Sequence, residues 1–404
     1  MTTSHMNTAD ADTAAELRAA MVGELRSTGA ITSESVAEAV STVPRHLFAP
    51  GEPLEAVYDD GNAVLVKRDP NGTATSYLSA AHIQAVMLEQ AEIEPGMRVL
   101  EIGSGGYNAA LLAELVGAGG KVTSVDIDPD IVARARDCLA AAGYDRVEVM
   151  LADAEYGVPV GAPYDRIVVT AGAWDISPAW VEQLSERGRL VVPLRMRGLT
   201  RSIAFDRDGE SLASHSYRLC AFVPMQGSGA HRERTVLLGD EAALRLDDES
   251  RHFDVAAMRK ALHSPRLERW SGAAFDLPDE LELFLMSAPQ AVMLHTSEEF
   301  VEQGLLARSA GRGVPALISD GGSFAYRTKR PDEATGGFES GVIAHGPEAE
   351  QVAARYVGLL RQWADNHRRR GAARIRYIPK AVGMAVPYQE FAVKRRGVVA
   401  IFWS

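Results

Sequence analysis

The stretch Val99-Leu-Glu-Ile-Gly-Ser-Gly-Gly-Tyr-Asn-Ala-Ala-Leu-Leu-Ala113 decides the fold. An apolar run ends in an acid, passes through a glycine turn and enters a helix. Gly103, Gly105 and Gly106 permit a tight turn and a close approach of backbone to a ligand. Downstream, Val122-Thr-Ser-Val-Asp126 is a second apolar strand ending in an acid. An acid about 20 residues beyond such a turn is placed to bind ribose hydroxyls. The pattern predicts a nucleoside site at the C-terminal edge of a parallel sheet.

The neighbouring sequence extends this reading. Asp128-Pro129 opens a helix as N-cap and first-turn proline. Val147–Leu151 forms a third strand that ends at Ala152-Asp153, and Tyr164–Thr170 a fourth. Glu101, Asp126 and Asp153 thus fall at successive strand ends. Three acids suit a ligand carrying an amine, a ribose and an exocyclic adenine amine. They suit a pyrophosphate poorly, because like charges repel. S-adenosylmethionine is therefore favoured over a nicotinamide dinucleotide. The expected lining is Glu101, Gly103, Ser104, Gly105, Gly106, Tyr107, Asn108, Asp126, Ile127, Asp153, Ala154 and Thr170. A glycine turn with no ligand is the plainer alternative.

Strands and helices alternate from Met97 to about Pro193, which implies a parallel sheet covered on both faces. Residues 34–43 and 80–91 read as helices, and Ser177-Pro178 opens another. The polar segment from Tyr58 to Tyr77 reads as a lid or loop. Ser202–Phe205 and Tyr217–Phe222 read as closing strands. Beyond about residue 235 the alternation stops. A helix over 347–366 and strands at Arg374–Ile378 and Val398–Phe402 then indicate an additional C-terminal α+β domain.

A chain of 404 residues is long enough for two cores. The net charge of −12 argues against nucleic acid as a partner. The two cysteines, Cys138 and Cys220, lie far apart, which fits packing roles in a reducing compartment and a cytoplasmic location. No apolar run reaches the length of a membrane span, and no metal-ligand spacing occurs. Basic residues gather late, including Arg368, Arg369 and Arg370. They form either a solvated face or a docking surface for an acidic peptide.

From about Val43 to Gly227 the chain resembles the protein-L-isoaspartate O-methyltransferases. Val43-Pro-Arg-His-Leu-Phe-Ala-Pro50 is similar to that family's helix-ending segment, and Ala56–Asp60 to its next loop. Ser79-Ala-Ala-His82 falls where the family carries its acceptor-site serine and a following histidine. Glu101–Gly106, Asp126, Asp153 and Tyr164-Asp165 fall on its cofactor motifs, and Gly188–Pro193 on its late strand. The resemblance implies a Rossmann-like class I methyltransferase fold over residues 31–233. Residues 1–30 would be a disordered or helical extension, and 234–404 a domain for substrate recognition.

Three departures stand out. The glycine turn is one residue shorter than the family's Gly-x-Gly-x-Gly-Tyr. The family's Gly-Gln-Thr-Ile-Ser-x-Pro segment reads Thr75-Ser-Tyr-Leu-Ser-Ala-Ala81 here. The chain also continues well past the methyltransferase domain. These features resemble the subgroup that modifies ribosomally made peptides, including the FxLD lanthipeptide system and relatives serving graspetides and lasso peptides. That implies methylation of an aspartate in a cyclised precursor peptide, leading to aspartimide or isoaspartate. Repair of isoaspartate in damaged proteins is the alternative. A non-catalytic nucleoside-binding module and a nicotinamide oxidoreductase are further alternatives.

Methyl transfer to a carboxylate needs alignment more than acid–base chemistry, because an aspartate with pKa about 3.9 is already ionised. Ser79 would aim the carboxylate, unless it serves only as the N-cap of the following helix. His82 is its neighbour in the catalytic pair, or a packed histidine. Tyr77 and Leu78 would contact the substrate.

Overall fold

In the computed structural model, the described residues are 8–239, 242–246, 252–276, 278–302, 304–311, 313–382 and 391–403. The chain divides into two compact units, Met1–Leu194 with Thr200–His231, and Arg195–Leu199 with Arg232–Ser404.

The first unit opens with helices α1 (Thr8–Ser27), α2 (Glu34–Thr42) and α3 (Leu54–Tyr58). Strands β1 (Val64–Arg68) and β2 (Ala74–Leu78) follow, and then α4 (Ala81–Ala91). The expected loop over 58–77 is therefore largely an antiparallel hairpin. Its tip is Asp69-Pro-Asn-Gly72, where Asp69 Oδ1 accepts the amides of Asn71 and Thr73 at 2.9 and 2.8 Å and Gly72 takes φ +84°.

The nucleotide-binding layer comprises β3 (Arg98–Ile102), α5 (Tyr107–Val116), β4 (Lys121–Asp126), α6 (Pro129–Ala141), β5 (Glu148–Leu151), β6 (Tyr164–Val169), α7 (Pro178–Gln183), β7 (Leu184–Met196), β8 (Leu199–Asp208) and β9 (Ser211–Leu219). Within this unit the strand order is β9-β8-β7-β6-β3-β4-β5. The β3–β7 core is parallel and β8–β9 antiparallel. Strand β3 sits between β4 and β6, so the crevice at its carboxyl end is the switch point where such sheets bind ligands. The register pairs Ile102 with Val125 and Val169, and Asp126 with Leu151. One sheet edge therefore gathers the ends of four strands.

The local sequence explains the helices. Asp128 caps α6 by accepting the Asp130 amide at 2.9 Å, with Pro129 at the first helical position. Helix α5 buries nearly every side chain, as a crossover packed on a sheet requires. Its N-cap is Gly106 at φ +84°, where an added Cβ would meet the Phe48 ring at 3.1 Å.

The second unit carries β10 (Arg234–Leu237), β11 (Ala242–Leu246), α8 (Val255–Leu262), β12 (Leu267–Ala274), α9 (Pro278–Ser287), β13 (Ala291–Thr296), α10 (Glu298–Glu302), β14 (Val314–Ile318), β15 (Phe324–Asp332), β16 (Gly337–His345) and α11 (Ala349–Gln362). Seven of its strands form a sheet in the order β10-β11-β13-β14-β15-β16-β12, with antiparallel pairings throughout. Helix α11 buries Val352, Ala353, Tyr356, Val357 and Leu360 at helical spacing. Strands β17 (Arg374–Pro379), β18 (Phe391–Val393) and β19 (Gly397–Phe402) complete the α+β unit. Among the described residues no helix is long and apolar enough to cross a membrane.

Candidate active site

A cleft of about 670 Å³ opens at the carboxyl edge of the parallel sheet. Its floor is the turn after β3. Gly103 takes φ +98° and lies under Thr170, whose hydroxyl donates to the carbonyls of Ile102 and Gly103 at 3.0 and 2.8 Å. A Cβ on Gly103 would stand 2.5 Å from that hydroxyl oxygen, so the turn excludes larger residues. At Gly105 a Cβ would meet nothing within 4 Å, so this stretch of backbone offers an open face to a ligand.

Three carboxylates mark the edge, two with pKa values raised by burial and one held low. Glu101 is fully buried; Asn108 Nδ2 donates to its Oε1 at 2.9 Å, and the Ser124 hydroxyl donates to its Oε2. Burial raises its pKa to about 7, against the pull of those two donors and with help from Asp126. Asp126 accepts the Ser104 amide on Oδ2 and the Asp128 amide on Oδ1, both at 2.9 Å. Burial raises its pKa despite these bonds. Asp153 differs: burial pushes its pKa up, but the amides of Ser228 (2.8 Å) and Glu155 (3.0 Å) outweigh it and hold the group below the usual carboxylate range.

The roof comes from the hairpin and the start of α4. Tyr77, Leu78, Ser79 and His82 all line the cleft. The first-turn amide of α4 at His82 donates to the Asp60 carbonyl at 2.9 Å. Ser79 is not the helix cap. That position is Ala80, which has no side-chain hydrogen bond, so the cap-only reading of Ser79 is set aside. Lys67 ties the hairpin to the α6 N-terminus, with Nζ 2.6 Å from Asp128 and 2.7 Å from Asp130.

Of the expected cofactor residues, Glu101, Gly103, Gly105 and Asn108 line the cleft, as do Asp126, Ile127, Asp153, Ala154 and Thr170. Ser104, Gly106 and Tyr107 do not. Ser104 is buried and contributes its amide to Asp126. Tyr107 is buried against Phe48, with ring centroids 5.5 Å apart, and under the Arg45 guanidinium at 4.9 Å. Its ring packs beneath the turn because the first residue of α5 faces the helical layer. Arg368, Arg369 and Arg370 are exposed in the second unit, with Arg368 paired to Asp276 at 2.8 Å and Arg370 donating to the Trp403 carbonyl at 3.3 Å.

Sequence reasoning missed one wall. Strand β9 ends at Leu219, and the chain from Cys220 to Gln226 leaves the expected strand to line the cleft. It is fixed by the Gly172 amide on the Val223 carbonyl (2.8 Å) and the Met225 amide on the Gly172 carbonyl (3.0 Å). Pro224, which cannot donate to a ladder, was the available signal.

A family model described as Protein-L-isoaspartate(D-aspartate) O-methyltransferase (PCMT) matches residues 16–230, more than half of the chain. The chain belongs to this family. It is 40% identical over 220 residues to a protein-L-isoaspartate O-methyltransferase of Methanopyrus kandleri, covering 54% of this chain and 94% of that protein. It is 39% identical over 196 residues to protein-L-isoaspartate O-methyltransferase 2 of Archaeoglobus fulgidus, covering 48% and 86%. A solved protein-L-isoaspartate O-methyltransferase aligns over 96% of this chain and 99% of its own, with TM-score 0.52 and 20% identity, a likeness of fold. The two sequence relatives align over only about half of this chain, whereas the solved structure aligns over nearly all of it. The fold is that of class I methyltransferases, and the cofactor is S-adenosylmethionine. The cleft fits it: the backbone at Gly105 lies open, and the carboxyl groups of Asp126 and Glu101 belong to the lining. The chain is a protein carboxyl O-methyltransferase.

Proposed function

We propose that this chain methylates the free carboxylate of an isoaspartyl residue within a polypeptide. The observation that carries this reading is the sharing of one cleft by Ser79 and His82 with Glu101, Asp126 and Gly105. An acceptor site and a cofactor edge that meet in one cavity suit direct transfer.

Bound S-adenosylmethionine supplies an electrophilic methyl group, and the products are a methyl ester and S-adenosylhomocysteine. The acceptor is ionised at neutral pH, so no base need remove a proton. The chain's own task is alignment and exclusion of water. Ser79 donates a hydrogen bond that aims one carboxylate oxygen. Leu78 and Phe222 in the lining keep water from the reacting groups. Asp126 holds the ribose hydroxyls, and Glu101, held in place by Ser124 and Asn108, lies in the lining toward the cationic end of the cofactor.

A second reading draws on the segment Thr75–Ala81, where the family's glutamine, threonine and proline are replaced. A dedicated substrate, an aspartate in a cyclised ribosomal precursor peptide, accounts for that change. After methylation the following backbone nitrogen attacks the ester carbonyl; the C–N bond forms and methanol leaves, giving an aspartimide. The late basic residues would then serve an acidic stretch of the precursor.

One assay separates the two. Methyl incorporation is measured into a short isoaspartyl peptide, its normal aspartyl isomer and a cyclised precursor. Turnover of the isoaspartyl peptide alone supports repair. Turnover confined to the precursor's aspartate overturns it in favour of the second reading.

A further inference from the structure

Arg45 lies in the short helical turn Arg45–Phe48 and is fully buried. Its Nε donates to the Val57 carbonyl at 2.8 Å, Nη1 to Gln84 Oε1 at 2.8 Å, and Nη2 to the Ser79 carbonyl at 2.7 Å. The Tyr107 ring supports the guanidinium at 4.9 Å. All these partners are neutral, and among the described residues no carboxylate pairs with it. A buried charge is costly unless paired, and a guanidinium does not escape by losing its proton. Bracing Val57 against α4 explains the hydrogen bonds. It leaves the charge itself unneutralised, and that charge acts on whatever occupies the cleft beside it.

Two of the three acceptors, Ser79 and Gln84, line the cleft. The positive charge therefore stands directly behind the wall that faces the acceptor. We infer that Arg45 is a positioning and specificity residue: its hydrogen bond fixes the Ser79 carbonyl, and its unneutralised charge selects an anionic acceptor over a neutral one of the same shape. The inference rests on the carboxyl methylation proposed above.

The test compares the substrate peptide with its carboxamide counterpart, which has the same shape without the charge. Binding of each is measured by competition on the full chain loaded with S-adenosylhomocysteine. A unit charge within a few ångströms of the wall gives the acid a preference of about tenfold or more. Gln84→Glu keeps the contact to Arg45 but neutralises it, and Arg45→Met removes the charge. Each should bring the acid-to-amide ratio close to unity, with S-adenosylhomocysteine affinity retained. Because Gln84 lines the cleft, its new carboxylate also acts on the acceptor directly, so Arg45→Met is the decisive variant, with Arg45→Gln in its place should that variant fail to fold. Wild-type enzyme with no acid preference, or a preference that persists in the decisive variant, overturns the inference while leaving the proposed function intact. Wild-type enzyme that methylates none of the peptides overturns the proposed function, and this inference with it.

Discussion

The Ser104 amide donates to the Asp126 carboxylate at 2.9 Å, tying the glycine turn after β3 to the end of β4. The acid expected to hold ribose thus also fixes the backbone of the glycine turn. Asp126→Ala should weaken binding of S-adenosylhomocysteine by about 1.5–3 kcal/mol, the range for hydrogen bonds to a charged group. The sheet should survive, because the register of β3 with β4 does not involve this side chain. Calorimetry on a folded variant checks it, and unchanged affinity would remove Asp126 from the site.

Glu101 makes the pH dependence specific. Its carboxyl is raised from 4.5 to about 7, chiefly by burial. A folded-state value above the unfolded one means the folded chain binds the proton more tightly. The contribution to stability is then fully present below about pH 4.5 and lost as the pH rises to about 7. At 1.36 kcal/mol per unit, the loss is up to about 3 kcal/mol. Glu101→Gln keeps an acceptor for Asn108, and the Ser124 hydroxyl can turn to accept. Melting temperatures of the two proteins should diverge across that window, the wild type falling. Parallel curves would sink the assignment.

Much of this site was legible in the sequence because its signals are local. An apolar strand, a glycine turn and an acid at the next strand end lie within 30 residues, and they placed Glu101, Gly103, Gly105 and Asp126 on the cleft. The pattern could not tell which turn residues face the ligand, so Ser104, Gly106 and Tyr107 were assigned to it when they pack beneath. Arg45 was invisible as a site residue because its partners at 57, 79 and 84 are brought together only by folding. The hairpin β1–β2 was missed although Asn71-Gly72 between two apolar runs is a turn signal; the polar tip outweighed it. Pairings in the second unit join strands far apart in sequence, such as β12 with β16, and such register is not written locally.

Ser79 yields a cleaner test than its sequence allowed. A capping serine would lose about 1 kcal/mol of stability on truncation. Because α4 has no side-chain cap, Ser79→Ala should leave melting nearly unchanged. Its effect should fall on kcat/KM for the peptide, with cofactor affinity near wild type. Both measurements on one preparation decide the matter; full turnover in the variant would take Ser79 out of the acceptor site.

The late arginines bear on peptide recognition, and their surroundings refine how they should be probed. Arg368 pairs with Asp276 at 2.8 Å, and Asp276 also accepts Trp363 Nε1 at 2.8 Å, so this arginine helps hold its own unit together. Arg370 reaches the Trp403 carbonyl at 3.3 Å. Arg369 is exposed and carries no such bond among the described residues. Replacing all three with glutamine should raise KM for an acidic peptide and flatten its salt dependence, because rim charges act mainly through association rate. Some of that loss would reflect a loosened second unit. Arg369→Glu alone separates the causes: KM should rise at low salt and approach wild type at high salt, while melting and S-adenosylhomocysteine affinity hold. Peptide kinetics that stay at wild-type values across a salt series in both variants would end the docking role and leave these arginines as a solvated face.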